Sequence, residues 1–251
     1  MDGTLPWQSA LAAMLFAGVF AAGSVFRPLR SMGMDTRSIV SLSGGLSSAY
    51  VFVQLMPELA EAQHTFAHSA GLPVREHGSA IYFCALMGFL AFYGLEHLRR
   101  MHSGAGGGRD GPEAAARQWS FRIHVGGFAF YVALVSYLLL HGPDREGISL
   151  GLYAFAMAAH FLATDHALHH EHGARYRQAG RWYLAAMVLA GWACGLLFVL
   201  PEPVLAVLLA FVAGAVIINS AIGELPSEKD GRVLPFVAGA LGYGAILWLI
   251  A

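Results

Sequence analysis

Eight stretches of the chain, 6–26, 39–59, 79–98, 119–141, 147–168, 182–200, 203–223 and 233–251, are apolar nearly from end to end. A helix rising 1.5 Å per residue needs about 20 such residues to cross the roughly 30 Å hydrocarbon layer of a bilayer. Inside lipid each backbone N–H and C=O must be satisfied within its own segment, so each stretch is predicted to be a transmembrane helix. The composition agrees. Charged residues make up 12% of the 251 residues, about half the share usual in soluble domains.

The expected fold is therefore all-α: one polytopic membrane domain, 1–251, with eight transmembrane helices. The first stretch is short enough to be a signal peptide, but Arg27 and Arg30 follow it and nothing basic precedes it, so it is read as a retained span. Pro201-Glu202-Pro203 reads as a tight turn between the sixth and seventh spans. The Gly-rich segment 103–117 is expected to be a flexible loop. Cys84 and Cys194 fall inside apolar runs and read as small buried hydrophobes. A net charge of −1 gives no field for nucleic acid; the expected partner is the bilayer itself.

Arginine and lysine set the orientation, because basic residues concentrate in cytoplasmic loops. Of the 15, 13 fall in the 1–2, 3–4, 5–6 and 7–8 loops or at the span ends beside them, and only Arg75 and Arg145 fall on the opposite side. This predicts an inner (plasma) membrane protein with both termini outside the cytoplasm and 103–117 inside. A repeat is also visible. Span two ends Gln54-Leu-Met-Pro57-Glu58, span seven is followed by Glu224-Leu-Pro226-Ser-Glu228, and the next spans carry Tyr93-Gly94 and Tyr243-Gly244. Related segments of opposite direction suggest an inverted repeat of spans 1–3 and 6–8 around spans 4–5, an arrangement frequent in secondary transporters. The plainer account is that membrane helices reuse Gly, Pro and Leu.

An ionisable group in hydrocarbon costs roughly 2.5 kcal/mol or more and asks for a reason. Span five runs into His160-Phe-Leu-Ala-Thr164-Asp165-His166-Ala-Leu-His169-His170-Glu-His172. Helical spacing gives two stripes, Asp165-His169-His172 and His166-His170. Imidazole with carboxylate suits zinc, iron or manganese. The chain has no Lys or Arg at the depth expected for Asp165, so no ion pair is available there, which leaves a bound cation or protonation to neutralise it. The plainer account of His169, His170 and His172 is that histidines sit well at a helix C-terminus. In span two Gln54 lies one turn from Glu58, with Pro57 freeing a carbonyl between them. In span seven Asn219 and Ser220 lie one turn before Glu224. His124 stands near the start of span four.

These segments resemble the ZIP divalent metal transporters. The stretch GGLSSAYVFVQLMPELAEA is similar to that family's second span, ALMGFLAFYGLEHLRRMH to its third, and INSAIGELPSEKDGRVLPFVAGALGYGAILWL to its seventh and eighth. The resemblance implies passage of a divalent metal ion towards the cytoplasm by alternating access. It also implies His160, Asp165, Thr164, His124, Asn219 and Glu224 as the metal site, and His166, His169, His170 and His172 as a secondary site. Gln54, Glu58 and Ser220 would lie along the pathway. The chain departs from the family where its ligands cluster: RIHVGGFAF keeps one histidine of a His-Asn-x-x-Asp-Gly pattern, and Thr164 and Asp165 replace the last two ligands of His-Glu-x-Pro-His-Glu.

The leading expectation is thus a transporter and not an enzyme, with no prosthetic group and a divalent ion, zinc first among the candidates, as cargo. One alternative is a non-transporting ZIP-like relative acting as a metal sensor or scaffold. Another is an intramembrane metallohydrolase, which needs three protein ligands and an open position. Gly126, Gly127, Gly214 and Gly239 allow close helix contacts, within one chain or between two copies of a homodimer.

Overall fold

The computed structural model describes residues 6–22, 35–69, 79–103, 112–142, 147–223 and 232–250. Glu224, Pro226, Glu228 and most of the 103–117 segment lie outside them. The described chain is helical throughout, with no strand among the described residues. Helix α1 is Pro6–Ala22 and α2 is Thr36–Tyr50, which continues through a π-helical turn, Val51–Leu55, into α3, Met56–Ser69. Then come α4, Ala80–Ser103, α5, Pro112–His141, and α6, Gly147–Arg175. A second π-helical turn, Tyr176–Gly180, leads into α7, Arg181–Leu197, followed by α8, Glu202–Gly223, and α9, Val233–Ile250.

Among the described residues, six helical stretches are long and apolar enough to cross a membrane: Thr36–Ala67, Ala80–Met101, Gln118–His141, Ile148–Leu197, Glu202–Ile222 and Val233–Ile250. The chain therefore has the build of an integral membrane protein. Helix α1 is apolar but shorter, at 17 residues.

Local chemistry explains the breaks in these rods. Asp35 caps α2, accepting a hydrogen bond from the Ser38 amide at 3.2 Å, and Arg232 pairs with its other oxygen at 2.8 Å. The Ser38 contacts, helped by Arg232, hold the Asp35 carboxyl below its ordinary pKa. Pro57 has no amide to donate, and its ring would strike the carbonyl of Val53 in a regular helix; the wider turn at Val51–Leu55 relieves that clash.

The longest rod is interrupted at Gly173, whose φ of 54° and ψ of −123° belong to the first central position of a type II′ turn. A side chain is strained there, which is the reason for glycine. The Tyr176 hydroxyl reaches back to Asp165 Oδ1 at 2.6 Å. Eleven residues of unbroken helix would separate the two by about 16 Å, beyond the reach of both side chains. The chain therefore reverses at Gly173, and the expected 147–168 and 182–200 segments lie on either side of that turn, with α1 packed against both.

The most extensive helix contacts are α2 with α9, α4 with α8, and α5 with α7, while α1 lies against α6 and α7. Helices α2 and α9 run in the same direction: the Arg232 amide bonds to Ser41 Oγ at 3.1 Å, Gly45 abuts Phe236 and Ala240, and Gly244 faces Ala49. Gly88 of α4 meets Phe211 of α8, and Gly214 of α8 meets Ala85 and Phe89 of α4, so this pair is also parallel. Aromatic rings fill the centre, with Phe161 of α6 5.1 Å from Phe16 and 6.2 Å from Tyr131.

A Cβ at Gly214 would overlap the Ala85 carbonyl and lie 2.7 Å from the Phe89 amide nitrogen, both backbone atoms that cannot swing aside. Gly214→Val is expected to cost about 1–3 kcal/mol or more, read as a lower unfolding temperature in detergent. Gly18→Ala, where nothing lies within 4 Å, should change it little. Equal effects from the two would contradict the close approach.

Candidate metal centre

Helices α4 and α6 end, and α5 and α7 begin, at one end of the bundle, where Arg99, Arg100, Arg122, Arg175 and Arg181 gather. Near this basic end lies a cleft lined by Phe92 and Glu96 of α4, His124 and Phe128 of α5, Thr164, Leu168 and Glu171 of α6, and Asn219 of α8. The face that α6 turns to the cleft is Thr164, Ala167, Leu168 and Glu171. This is one residue, or about 100° of helix, away from the expected stripe through Asp165 and His169.

His124, Glu171 and His172 each offer one ligand atom, all within 4.8 Å of one another. His124 Nδ1 lies 2.9 Å from His172 Nε2 and 3.6 Å from Glu171 Oε2. Bonds of 2.0–2.1 Å in a tetrahedron hold ligand atoms about 3.3 Å apart, and the two separations from His124, 2.9 Å and 3.6 Å, lie on either side of that spacing. His124 is buried, and Phe121 and Phe128 stand edge-on to the two imidazoles. Two imidazoles and one carboxylate suit zinc or iron better than calcium or magnesium. Three protein ligands also leave one position for cargo exchange or water.

The surrounding charges come from α4. Glu96 accepts from Arg99 Nε at 2.8 Å and Arg100 Nε at 2.6 Å. Arg99 Nη2 also pairs with Glu171 Oε1 at 3.3 Å, leaving Glu171 Oε2 turned towards His124. Of these residues, sequence reading placed His124 and His172 among the ligands and left Glu171, Glu96 and Arg99 out. Glu171 carried the better signal, since it lies three residues, about one helical turn, beyond Leu168 on the face that lines the cleft with His124. Glu96 and Arg99 give no such signal, because their i, i+3 spacing satisfies them within their own helix.

The other expected site residues lie elsewhere. His160 stands twelve residues before His172, about 18 Å along the helix; it is buried and shares a hydrogen bond with the Tyr131 hydroxyl at 3.1 Å. Asp165 is buried against the Tyr176 hydroxyl, and Arg181 lies within electrostatic reach of it. The expectation that no basic residue is available to Asp165 is thus corrected: the reversal at Gly173 returns residues 176–181 to its side. His160 and Asp165 are not among the residues lining the cleft, whereas Thr164 and Asn219 are. The Thr164 hydroxyl bonds back to the His160 carbonyl at 3.0 Å. Asn219 Nδ2 and Ser220 Oγ find no hydrogen-bond partner among the described residues. His166, His169 and His170 lie outside the three-ligand group, and Glu224 lies outside the described residues.

At the opposite end a second cleft is lined by Glu58 and Glu61 of α3, His141 of α5 and Glu202 and Leu205 of α8. Gln54 donates to Glu58 Oε1 at 3.0 Å. Because Glu58 meets the start of α8 and Phe92 and Asn219 share the cleft at its end, α8 runs against the direction of α3. Between the clefts Tyr131, Val132 and Val135 of α5 and Ala213 and Val216 of α8 are buried.

Compared with protein-family models, with curated proteins and with solved structures, the chain matches none.

Proposed function

We propose that this protein is a ZIP-like transporter of a divalent transition metal ion, zinc, iron or manganese, and that His124, Glu171 and His172 hold the ion on its way to the cytoplasm. The observation that carries the reading is the convergence of two imidazoles and a carboxylate from two different helices, with His124 and Glu171 lining the cleft. Ligands on separate helices bind an ion only while those helices keep their spacing, so a shift between α5 and α6 takes up or releases it.

The wider architecture supports the same reading. Counting α2 with α3 as one pass and dividing the longest rod at Gly173 gives eight passes, α1 included. Exchanging passes 1–3 with 6–8 and pass 4 with 5 turns the α2–α9 contact into the α8–α4 contact, and α5–α7 into α6–α1; all four are present. The seam glycines follow: Gly45 corresponds to Gly214, and Gly88 to Gly239. Pass two and pass seven run in opposite directions, as an inverted repeat requires. The basic end is read as cytoplasmic, which places both chain ends outside the cytoplasm in an inner membrane. The acidic cleft at Glu58, Glu61 and Glu202 is then the external mouth, and the buried band between the clefts is the barrier that alternating access moves.

The second reading is an intramembrane metallohydrolase. It is favoured by the two-histidine, one-glutamate ligand set and by the cleft beside it. Such an enzyme needs a carboxylate free to take a proton, and Glu96, the nearest, is held by two arginines. Metal analysis of the purified protein, with zinc uptake into sealed vesicles that contain it, tests the transporter. Bound metal with peptide or ester hydrolysis and no uptake would favour the enzyme, bound metal with neither would favour a sensor, and no bound metal would refute the site.

A further inference from the structure

The two ring nitrogens of His124 face different chemistry. Nδ1 points to His172 and Glu171. Nε2 points to Glu96 Oε2, 3.8 Å away. Glu96 is itself anchored, with the Arg99 and Arg100 side chains both donating to it. A histidine that binds a metal through one nitrogen commonly gives its other N–H to a carboxylate, which fixes both tautomer and ring orientation.

We propose that Glu96 is the positioning residue of the metal centre: it holds the His124 proton on Nε2 and thereby presents the Nδ1 lone pair to the ion. This rests on the reading of His124, Glu171 and His172 as a metal site. The gap of 3.8 Å exceeds a hydrogen bond, and a small rotation of the His124 ring closes it. Arg99 and Arg100 prevent the carboxylate from moving the other way. A consequence follows for His172. With His124 Nδ1 unprotonated, the 2.9 Å contact is a donation from His172 Nε2–H. To bind the ion through Nε2, His172 must carry its proton on Nδ1 instead. Ion binding therefore switches the tautomer of His172 and leaves that of His124 unchanged. Arg99 contributes to both halves of the centre, because it also holds Glu171 Oε1 and leaves Oε2 for the ion.

The test uses the full chain in detergent, labelled with ¹⁵N-histidine, with Co²⁺ as the probe. The His124 resonances are identified by their loss in His124→Ala. In the metal-free parent, Nε2 of His124 should be protonated and Nδ1 not. Glu96→Ala should abolish that preference and weaken Co²⁺ binding by roughly 10–100-fold. Glu96→Gln removes the same charge but keeps an acceptor; it should preserve the Nε2–H tautomer and recover most of the affinity. Equal weakening by Ala and Gln with an unchanged tautomer would overturn the proposal and leave Glu96 as a counter-charge alone. Unchanged affinity and tautomer in both would overturn it as well. Should the parent bind no Co²⁺, the metal site itself fails, while the tautomer of the metal-free protein still decides what Glu96 does to His124.

Discussion

His172→Ala is expected to weaken binding of a transition metal on the order of a hundredfold and to stop vesicle uptake at micromolar metal. The size follows from the ligand count. Four-ligand structural zinc sites bind with apparent free energies of about 10–16 kcal/mol, or about 3 kcal/mol per ligand, and 1.4 kcal/mol is a factor of ten. Among the described residues three protein ligands converge, so removing one leaves two to hold the ion. Glu171→Ala should do comparable harm, since it removes the carboxylate that offsets the charge of the ion; it also frees Arg99, a cation 3.3 Å from that carboxylate. His170→Ala is the control. His170 is an exposed neighbour on the same helix and lies outside the three-ligand group, so affinity should stay within a few-fold of the parent. Titration by calorimetry, with uptake beside it, checks all three. If His170→Ala and His172→Ala behave alike, the histidine-rich segment acts through composition and the convergence on His124 has no special role.

The membrane character of the chain was legible because it rests on length and hydropathy alone. Apolar windows near twenty residues mark membrane helices whatever their partners, and the six described stretches able to cross a membrane overlap those windows. The turn at Pro201 was legible for the same local reason. What escaped was tertiary. Nothing in the sequence around Asp165 announces that Gly173 adopts a turn conformation, yet that single residue brings Tyr176 and Arg181 beside it. Of the expected stripe on α6, His172 meets His124 while Asp165 and His169 do not line the cleft, because periodicity gives the angle between residues on a helix and not the rotation of the helix against its neighbours. Which stripe faces α5 depends on packing, and on α5 the only informative polar side chain is His124. Glu96 illustrates the opposite failure. Its arginine neighbours at i+3 and i+4 explain it completely within its own helix, so its second role, towards His124 on another helix, leaves no local trace.

Asp165→Asn is expected to keep both the fold and metal binding, whereas Asp165→Ala should unfold at a markedly lower temperature. A carboxylate in the hydrocarbon region costs roughly 2.5–3.5 kcal/mol unless it has partners. Asp165 has them: it is buried, the Tyr176 hydroxyl donates to it at 2.6 Å, and the Arg181 charge is near. These partners come from beyond Gly173, so the contact fastens the chain reversal that sets α7 beside α5. Asparagine retains the oxygen that accepts from Tyr176. Alanine removes it, leaves a buried hydroxyl unsatisfied at a cost of about 1–3 kcal/mol, and adds a cavity. Tyr176→Phe should cost at least as much, because it leaves the carboxylate without its donor. In Asp165→Ala with Tyr176→Phe the two losses should fall short of their sum by about 1 kcal/mol or more, as for any pair in direct contact. Thermal unfolding in detergent measures the stability effects, and Co²⁺ titration measures the rest. Loss of metal binding in Asp165→Asn at unchanged unfolding temperature would show that the charge of Asp165 serves the ion. The tie across Gly173 would then be incidental to it, and the ion's path would run deeper along α6, past His160, than the cleft at His124 suggests.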